Sequence, residues 1–506
     1  MPNLSRLPVT GADANIWSDI LNQYIRVSTD KIGGINQCVV IYIDDSQFQT
    51  YINNKYLFWV NNPTSQYIND FPKLNENDFI INRKTSKLYS FVNSVVTEVA
   101  NIVEGFSCIN KFTGSVFRYN STDLQSEKWL VTSSNNWNNV RDWGAQGDRH
   151  GGPQYISPFF HSDDTEAIQA TFTYAEKHVK AETYGFTNQF SGVSSTVYFP
   201  NGTYSITQSI QINTSLHVIG GGGSSYWGSR IICSVDNTSM FICNGDSTGS
   251  CACQFRDLIL LKIDQLTTTD TAIIRVADGV RSSTSFYIRD CFFQCSGYGY
   301  AINFPQGDDV QIVNCAFDTG HYGIKLGRSS IGYVNSVRII NNTFYAIRLA
   351  PITIDSVQGC IISNNSFYSE GRTPDPSQPK TLNCIVINSA NPSGSIIISN
   401  NTFARPQRAI DIGSVDGLTI TNNQIIEAEN VAIQFRVPIQ LVNIQSNTIS
   451  CKVNNVSIFV PNNNMTNSII SNNIITSMLG SETNLINIVD STNSNLISNN
   501  ILKIIP

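Results

Sequence analysis

Glu370, Asp318 and Asp411 are acids set close in sequence to Lys325, Arg348, His321, Arg372, Arg405 and Arg408, in a chain where only 14% of residues are charged. Carboxyl groups of this kind support two chemistries. A glycosidase needs a pair, roughly 5–5.5 Å apart to retain configuration or 6.5–9.5 Å to invert it. A lyase needs a base beside a cation that meets the charge developing on an enolate. Glu370 stands at the root of SEGRTPDPSQPKTLN (369–383), where partial burial would suit a general acid. DTGHYG (318–323) and ARPQR (404–408) carry the neighbouring charges. These residues are far apart in the chain, so the chemistry exists only if the fold stacks them.

A repeat supplies that stacking. The runs YIRDCFF, QIVNCAF, RIINNTF, IISNNSF, IISNNTF, TITNNQI, NIQSNTI, IISNNII and LISNNIL share one pattern. Their fourth residues are Asp290, Asn314, Asn341, Asn364, Asn400, Asn422, Ser446, Asn472 and Asn499, at intervals of 24, 27, 23, 36, 22, 24, 26 and 27. Apolar-x-apolar runs ending in a periodic Asn predict parallel strands joined by sharp turns, one coil per repeat, with Asn stacking on Asn about 4.8 Å apart. Asn also tolerates the left-handed backbone such a turn requires. A second column runs in phase, and its outward residues read Asn303, Lys325, Arg348, Val386, Asp411, Gln434, Phe459 and Asn487. On this reading Lys325 and Arg348 sit one coil apart with no acid between them, a place for an acidic sugar to bridge. The 36-residue interval marks the 369–383 insertion, and loops on a rigid scaffold are where binding residues collect.

The rest of the chain bounds the answer. A formal charge of −6 excludes a basic nucleic-acid footprint. With 10% aromatic residues the chain is no disordered polymer, and no apolar run approaches a membrane span. No secretory h-region opens the sequence. Twelve scattered cysteines, in neither zinc-site nor disulfide-scaffold spacing, are expected to be free and mostly buried; no metal and no cofactor is expected.

The expected organisation has three parts. Residues 1–103 form a small α+β region: a helix at 11–25, then strands in CVVIYID, KYLFWVN and the hairpin NRKTSKLYSF. Residues 104–139, polar and aperiodic, are expected to be a neck or linker. Residues 140–506 form the β-helix. At its entry, SDDTEAIQATFTYAEKH (162–178) predicts a helix capped by Asp163, with Glu166 completing a capping box.

Two resemblances carry this further. The 11–25 block, with its "LP…G…W…LN" pattern, resembles the N-terminal attachment segments of bacteriophage tail fibres and tailspikes. The succession VRDWGAQGD (140–148), SDDTEAIQATFTYAEKH and TVYFPNGTYSIT (196–207) resembles the entry to the pectate-lyase-like right-handed parallel β-helix of tailspikes and polysaccharide lyases. In that family the paired acids, here Asp163 and Asp164, are structural. The resemblance implies a homotrimeric tailspike, assembled without a signal peptide, that docks to virion tail or baseplate proteins through residues 1–103. It would recognise and cleave a bacterial capsule, O-antigen or exopolysaccharide. A binding-only fibre and a cellular lyase or hydrolase are the alternatives. GDD (307–309) before GHYG (320–323) is similar to the polygalacturonase catalytic set, but 12 residues from Asp309 to His321 is half a coil. Asp308 and Asp309 are therefore read as turn formers, and His321 only as a sugar contact.

Overall fold

The computed structural model describes residues 36–61, 74–75, 77–121, 128–132, 137–148, 162–177, 195–222, 228–245, 251–266, 271–278, 280, 286–297, 299–328, 333–370, 381–388, 393–452, 457–460, 465–477, 486–487 and 495–504. The helix expected at 11–25 lies outside the described residues. Two compact units divide the chain: residues 1–178 with 195–205, and residues 179–194 with 206–506.

The first unit is built on a seven-stranded sheet. In chain order its elements are β1 (Gln37–Ile41), α1 (Asp45–Asn61), β2 (Phe79–Asn82), β3 (Lys87–Val92), β4 (Val95–Glu98), β5 (Ser107–Asn110), β6 (Val116–Tyr119) and β7 (Trp129–Thr132). Their spatial order is β4-β3-β2-β1-β5-β6-β7. The expected hairpin is present as antiparallel β2–β3. KYLFWVN, read as a strand, is instead the last stretch of α1. Phe48 and Ile52, four residues apart, bury on the sheet, and Phe48 stacks on Tyr89 at 3.9 Å. That packing overrides the local strand preference of an aromatic run. The stretch 104–139 is no linker, because β5, β6 and β7 bury Cys108, Phe117 and Trp129 in the same core as Cys38, Val40 and Leu88. Each of these strands has four residues, too short for a period-2 signal to stand out.

VRDWGAQGD holds this unit together. Asp142, 2% exposed, accepts from Asn110, Thr113 Oγ1 and Ser115 Oγ at 3.0, 2.6 and 2.6 Å. The second helix, α2 (Thr165–Lys177), starts where Asp163 Oδ1 accepts the Thr165 amide at 3.0 Å. Glu166 does not complete a capping box; it pairs with Lys84 at 2.6 Å. Asp164, 1% exposed, accepts the amides of Gln146 (2.6 Å), Ser205 (3.1 Å) and Gly147 (3.4 Å). Both acids are structural.

The second unit is a right-handed parallel β-helix with three strand columns. Column A runs from Leu216–Gly220 through Gln254–Arg256 and Val334–Ile340 to Leu496–Ser498, every strand parallel to the next. Column B runs from Ser229–Cys233 through Leu258–Leu266 and Phe292–Gly297, and includes Ser366–Tyr368, Thr402–Ala404 and Gln424–Ala428. Column C includes Tyr300–Phe304, Asn383–Ile387 and Arg408–Ile412. The long strands Ala316–Leu326 and Thr343–Ile354 turn from B into C.

The turn from A to B is where the repeat lives. Asp290, Asn314, Asn341, Asn364, Asn400, Asn422, Ser446, Asn472 and Asn499 all hold φ between 54° and 58°, the left-handed region. The buried amide ladder, however, stands one residue later. Asn342, Asn365, Asn401, Asn423, Asn447 and Asn473 each donate Nδ2 to the Oδ1 of the next, the last accepted by Asn500, at 2.9–3.1 Å. The pattern NN thus divides two tasks that the periodicity merges: the first Asn makes the bend and the second bonds inside it. Behind the ladder, Phe293, Phe317, Phe344, Phe367 and Phe403 stack with centroids 4.7–5.0 Å apart. All twelve cysteines are free and buried. No helix among the described residues is long and apolar enough to cross a membrane.

Candidate functional site

Column B carries an outward file of residues one coil apart: Gln294, Asp318, Tyr345, Tyr368, Ala404 and Ile426. Alternation makes it outward, because the residues before Tyr345 and Tyr368 belong to the inward Phe stack. Tyr345 and Tyr368 stack with centroids 5.4 Å apart and planes 11° apart, and Tyr368 is 39% exposed. Stacked aromatic side chains partly open to water offer a contact surface for a sugar ring.

Next to Tyr368 runs a row of alternating charge. Glu370 lies two residues beyond it, with its side chain 9% exposed, and Arg405 Nη1 reaches its Oε2 at 3.0 Å. Arg405 Nε reaches Glu427 Oε2 on the following coil at 3.1 Å, and Lys452 stands 3.7 Å from the same oxygen. Arg405 and Glu427 both hold left-handed backbone, φ 54° and 51°. Glu370 leads the causes that raise the Arg405 pKa, with the charge of Glu427 adding to it. Two carboxylates bonded to one guanidinium lie no farther apart than the roughly 6.5–9.5 Å of an inverting pair. A cation shared between them is also what a lyase requires.

Column C holds a second polar chain. Lys325 pairs with Asp355 at 3.5 Å and lies 5.4 Å from the Tyr300 ring. Asn388 donates to Asp355 (3.0 Å), Arg436 Nη2 donates to Asn388 Oδ1 (3.0 Å), and Arg436 Nε stands 3.1 Å from Asp411 Oδ1. That last contact lacks hydrogen-bond alignment, so Asp411 Oδ1 is a buried polar atom without a hydrogen-bond partner; Arg408 Nε and Thr353 Oγ1 are others. Burial raises the Asp411 pKa, and the charges of Arg436 and Arg408 oppose it. A folded-state pKa above the unfolded value means the native state binds the extra proton. This contribution is therefore present at low pH and is lost as pH rises through the folded pKa. Asp411→Asn should remove that slope: urea midpoints taken between about pH 4 and 7 should fall less for the variant than for the parent chain.

The expected file Lys325–Arg348–Asp411 is corrected in one member. In register, Lys325 is followed by Thr353, Val386, Asp411 and Gln434. Lys325 and Asp411 are thus three spacings apart, about 14 Å. Arg348 falls at the register shift between Gly320–Ile347 and Tyr322–Ala350, and it is exposed. The reason is that Tyr345–Leu349 and Pro351–Ile354 are both apolar-alternating, and the second enters column C. Nor is Lys325 an unpaired cation, given Asp355, so Lys325 and Arg348 do not make the like-charge pair that an acidic sugar would bridge. Arg348 instead shares a backbone file with Leu382 and Arg408, through Leu382 N to Arg348 O (2.8 Å) and Arg408 N to Leu382 O (3.0 Å).

His321 Nδ1 lies 2.7 Å from Gly297 O, at the same register shift as Arg348. Asp308 and Asp309 pair with column A residues Asn335 (2.6 Å), Tyr287 (2.8 Å) and Arg338 (3.3 Å), away from His321. Arg372, Asp375 and Lys380 lie outside the described residues. Sequence reasoning missed Tyr345, Tyr368, Glu427, Lys452 and Asp355. Only Tyr345 and Tyr368 left a signal: each follows the inward Phe of the repeat.

Comparison with known proteins bears on residues 137–348. They match the family described as rhamnogalacturonase A/epimerase, pectate lyase-like. The pectate lyase-like assignment agrees with the columns described above. Among solved structures, the protein called Geobacillus virus E2 ORF18 shows 14% identity and a TM-score of 0.46, over 88% of this chain and 74% of that one. DFA-IIIase from Arthrobacter chlorophenolicus A6 shows 14% identity and a TM-score of 0.47, over 73% of this chain and 95% of that one. No curated protein sequence matches the chain.

Proposed function

We propose that this protein is a tailspike-type phage protein that grips a uronate-bearing bacterial surface polysaccharide and cuts it by β-elimination. The observation that carries the reading is Arg405, shared by Glu370 and Glu427 beside the exposed Tyr368 ring. A sugar ring lies against Tyr345 and Tyr368, and its carboxylate meets Arg405. Glu370 takes the proton from the carbon next to that carboxylate. The electron pair forms the new carbon–carbon double bond as the glycosidic oxygen departs, and the departing oxygen is protonated from water. Arg405, held on its far side by Glu427, meets the charge that develops on the uronate. A glycosidase pair has no need of a cation between its acids, which is why elimination is preferred to hydrolysis. The virion half of the reading rests on the 11–25 block, and docking through residues 1–103 and homotrimer formation belong to the same proposal.

The test is incubation with a panel of purified capsules and O-antigens. Elimination produces new reducing ends together with unsaturated-uronate absorbance. Reducing ends alone would replace elimination by hydrolysis, and tight binding without either would leave a receptor-binding fibre. Tyr368→Ala should raise KM several-fold with a smaller change in kcat, since it removes contact made in ground and transition states alike.

A further inference from the structure

Cys243 ends the strand Phe241–Cys243, and Cys251 and Cys253 directly precede the strand Gln254–Arg256. Parallel winding brings these three sulfurs within 4.8 Å of one another, all at 0% exposure. Among the described residues no other three potential metal-ligating side chains gather so closely. From this convergence we infer that Cys243, Cys251 and Cys253 form a buried site for a thiophilic d10 metal ion, Zn²⁺ or Cu⁺.

The geometry suits such an ion. With metal–sulfur bonds of about 2.3 Å, three thiolates around one centre stand roughly 3.8–4.0 Å apart. Cys251 and Cys253 sulfurs are 3.2 Å apart and need open by less than about 1 Å to reach that spacing. The Gly245 backbone hydrogen-bonds the Cys251 sulfur and the Leu216 backbone that of Cys253. Outer donors of this kind stabilise and orient metal thiolates. Soft sulfur donors without a carboxylate select Zn²⁺ or Cu⁺ over Mg²⁺ or Ca²⁺. The ion would tie the strand Phe241–Cys243 to the next coil, a structural site remote in sequence from Glu370 and Arg405.

The experiment uses the full chain, purified without chelator under reductant and analysed by inductively coupled plasma mass spectrometry. Stoichiometric zinc or copper is expected, with the loss of metal in Cys251→Ala/Cys253→Ala and its retention in the control Cys360→Ala. Because the double variant could misfold, the parent chain is also stripped and titrated with Co²⁺, which should give thiolate-to-cobalt charge-transfer absorption that saturates at one ion per chain. Metal-free protein that fails to take up Zn²⁺, Cu⁺ or Co²⁺ overturns the inference. So does a disulfide among these three cysteines in freshly isolated protein.

Discussion

Arg405→Met is expected to lower kcat for the cleaved polysaccharide by about 10²–10³-fold, the range lost when one preorganised donor to a developing oxyanion is removed. The variant keeps an unbranched apolar stem while withdrawing the cation from between Glu370 and Glu427. Arg405 itself is 42% exposed, but its partner Glu370 is only 9% exposed, so withdrawing the cation also costs folding stability. The urea midpoint should therefore fall while the chain still folds and turnover collapses. A large midpoint shift with kcat intact would make Arg405 a mere fence between coils, and elimination at this place would be abandoned. Glu370→Gln sharpens the result: it keeps hydrogen-bonding capacity and removes the base, so kcat should fall at least about 10²-fold. Loss of binding without loss of kcat would instead reassign Glu370 to the substrate grip.

The amide ladder yields the second large effect. Asn423→Ala removes the Oδ1 that accepts both the backbone amide (3.0 Å) and Nδ2 (3.0 Å) of Asn401. It also removes the Nδ2 bonded to Ile398 O (2.9 Å) and Asn447 Oδ1 (3.0 Å). Buried groups left without partners cost about 1–3 kcal/mol each, so a loss of about 3 kcal/mol or more is expected. Asn422→Ala next door touches no buried bond of the ladder. It should cost about 1 kcal/mol, for an alanine held in the left-handed region at φ 54°. Urea unfolding of the two variants separates them directly, and equal costs would show that the second Asn of the pair is no ladder. The apolar residues Leu496, Ile497, Ile501 and Leu502 of the last described coil are 44–59% exposed, so the trimer in the proposal should be checked by sedimentation before midpoints are compared.

Local chemistry explains what can be read from the chain and what cannot. The bend at Asn400 is legible because only a few residue types accept its backbone, and they recur each coil. The ladder at Asn401 stands one residue from where the period puts it, because NN offers two amides and the period is blind to which turns inward. Arg348 leaves its expected file because two alternating runs compete for one column, and only the register of Thr353 against Lys325 decides between them. Glu427 leaves no signal for a different reason. Its acid matters solely through Arg405 on the preceding coil, 22 residues away, and nothing about a glutamate in QIIEA marks such a neighbour.

Winding follows from the amino-acid order alone: a period near two dozen residues, apolar faces and turn-forming Asn can satisfy their backbone only by stacking coil upon coil. Which charges meet is settled in three dimensions. A rung-to-rung spacing of about 4.8 Å makes contact depend on register, and one bulge or one competing strand moves a side chain from a shared site to open solvent.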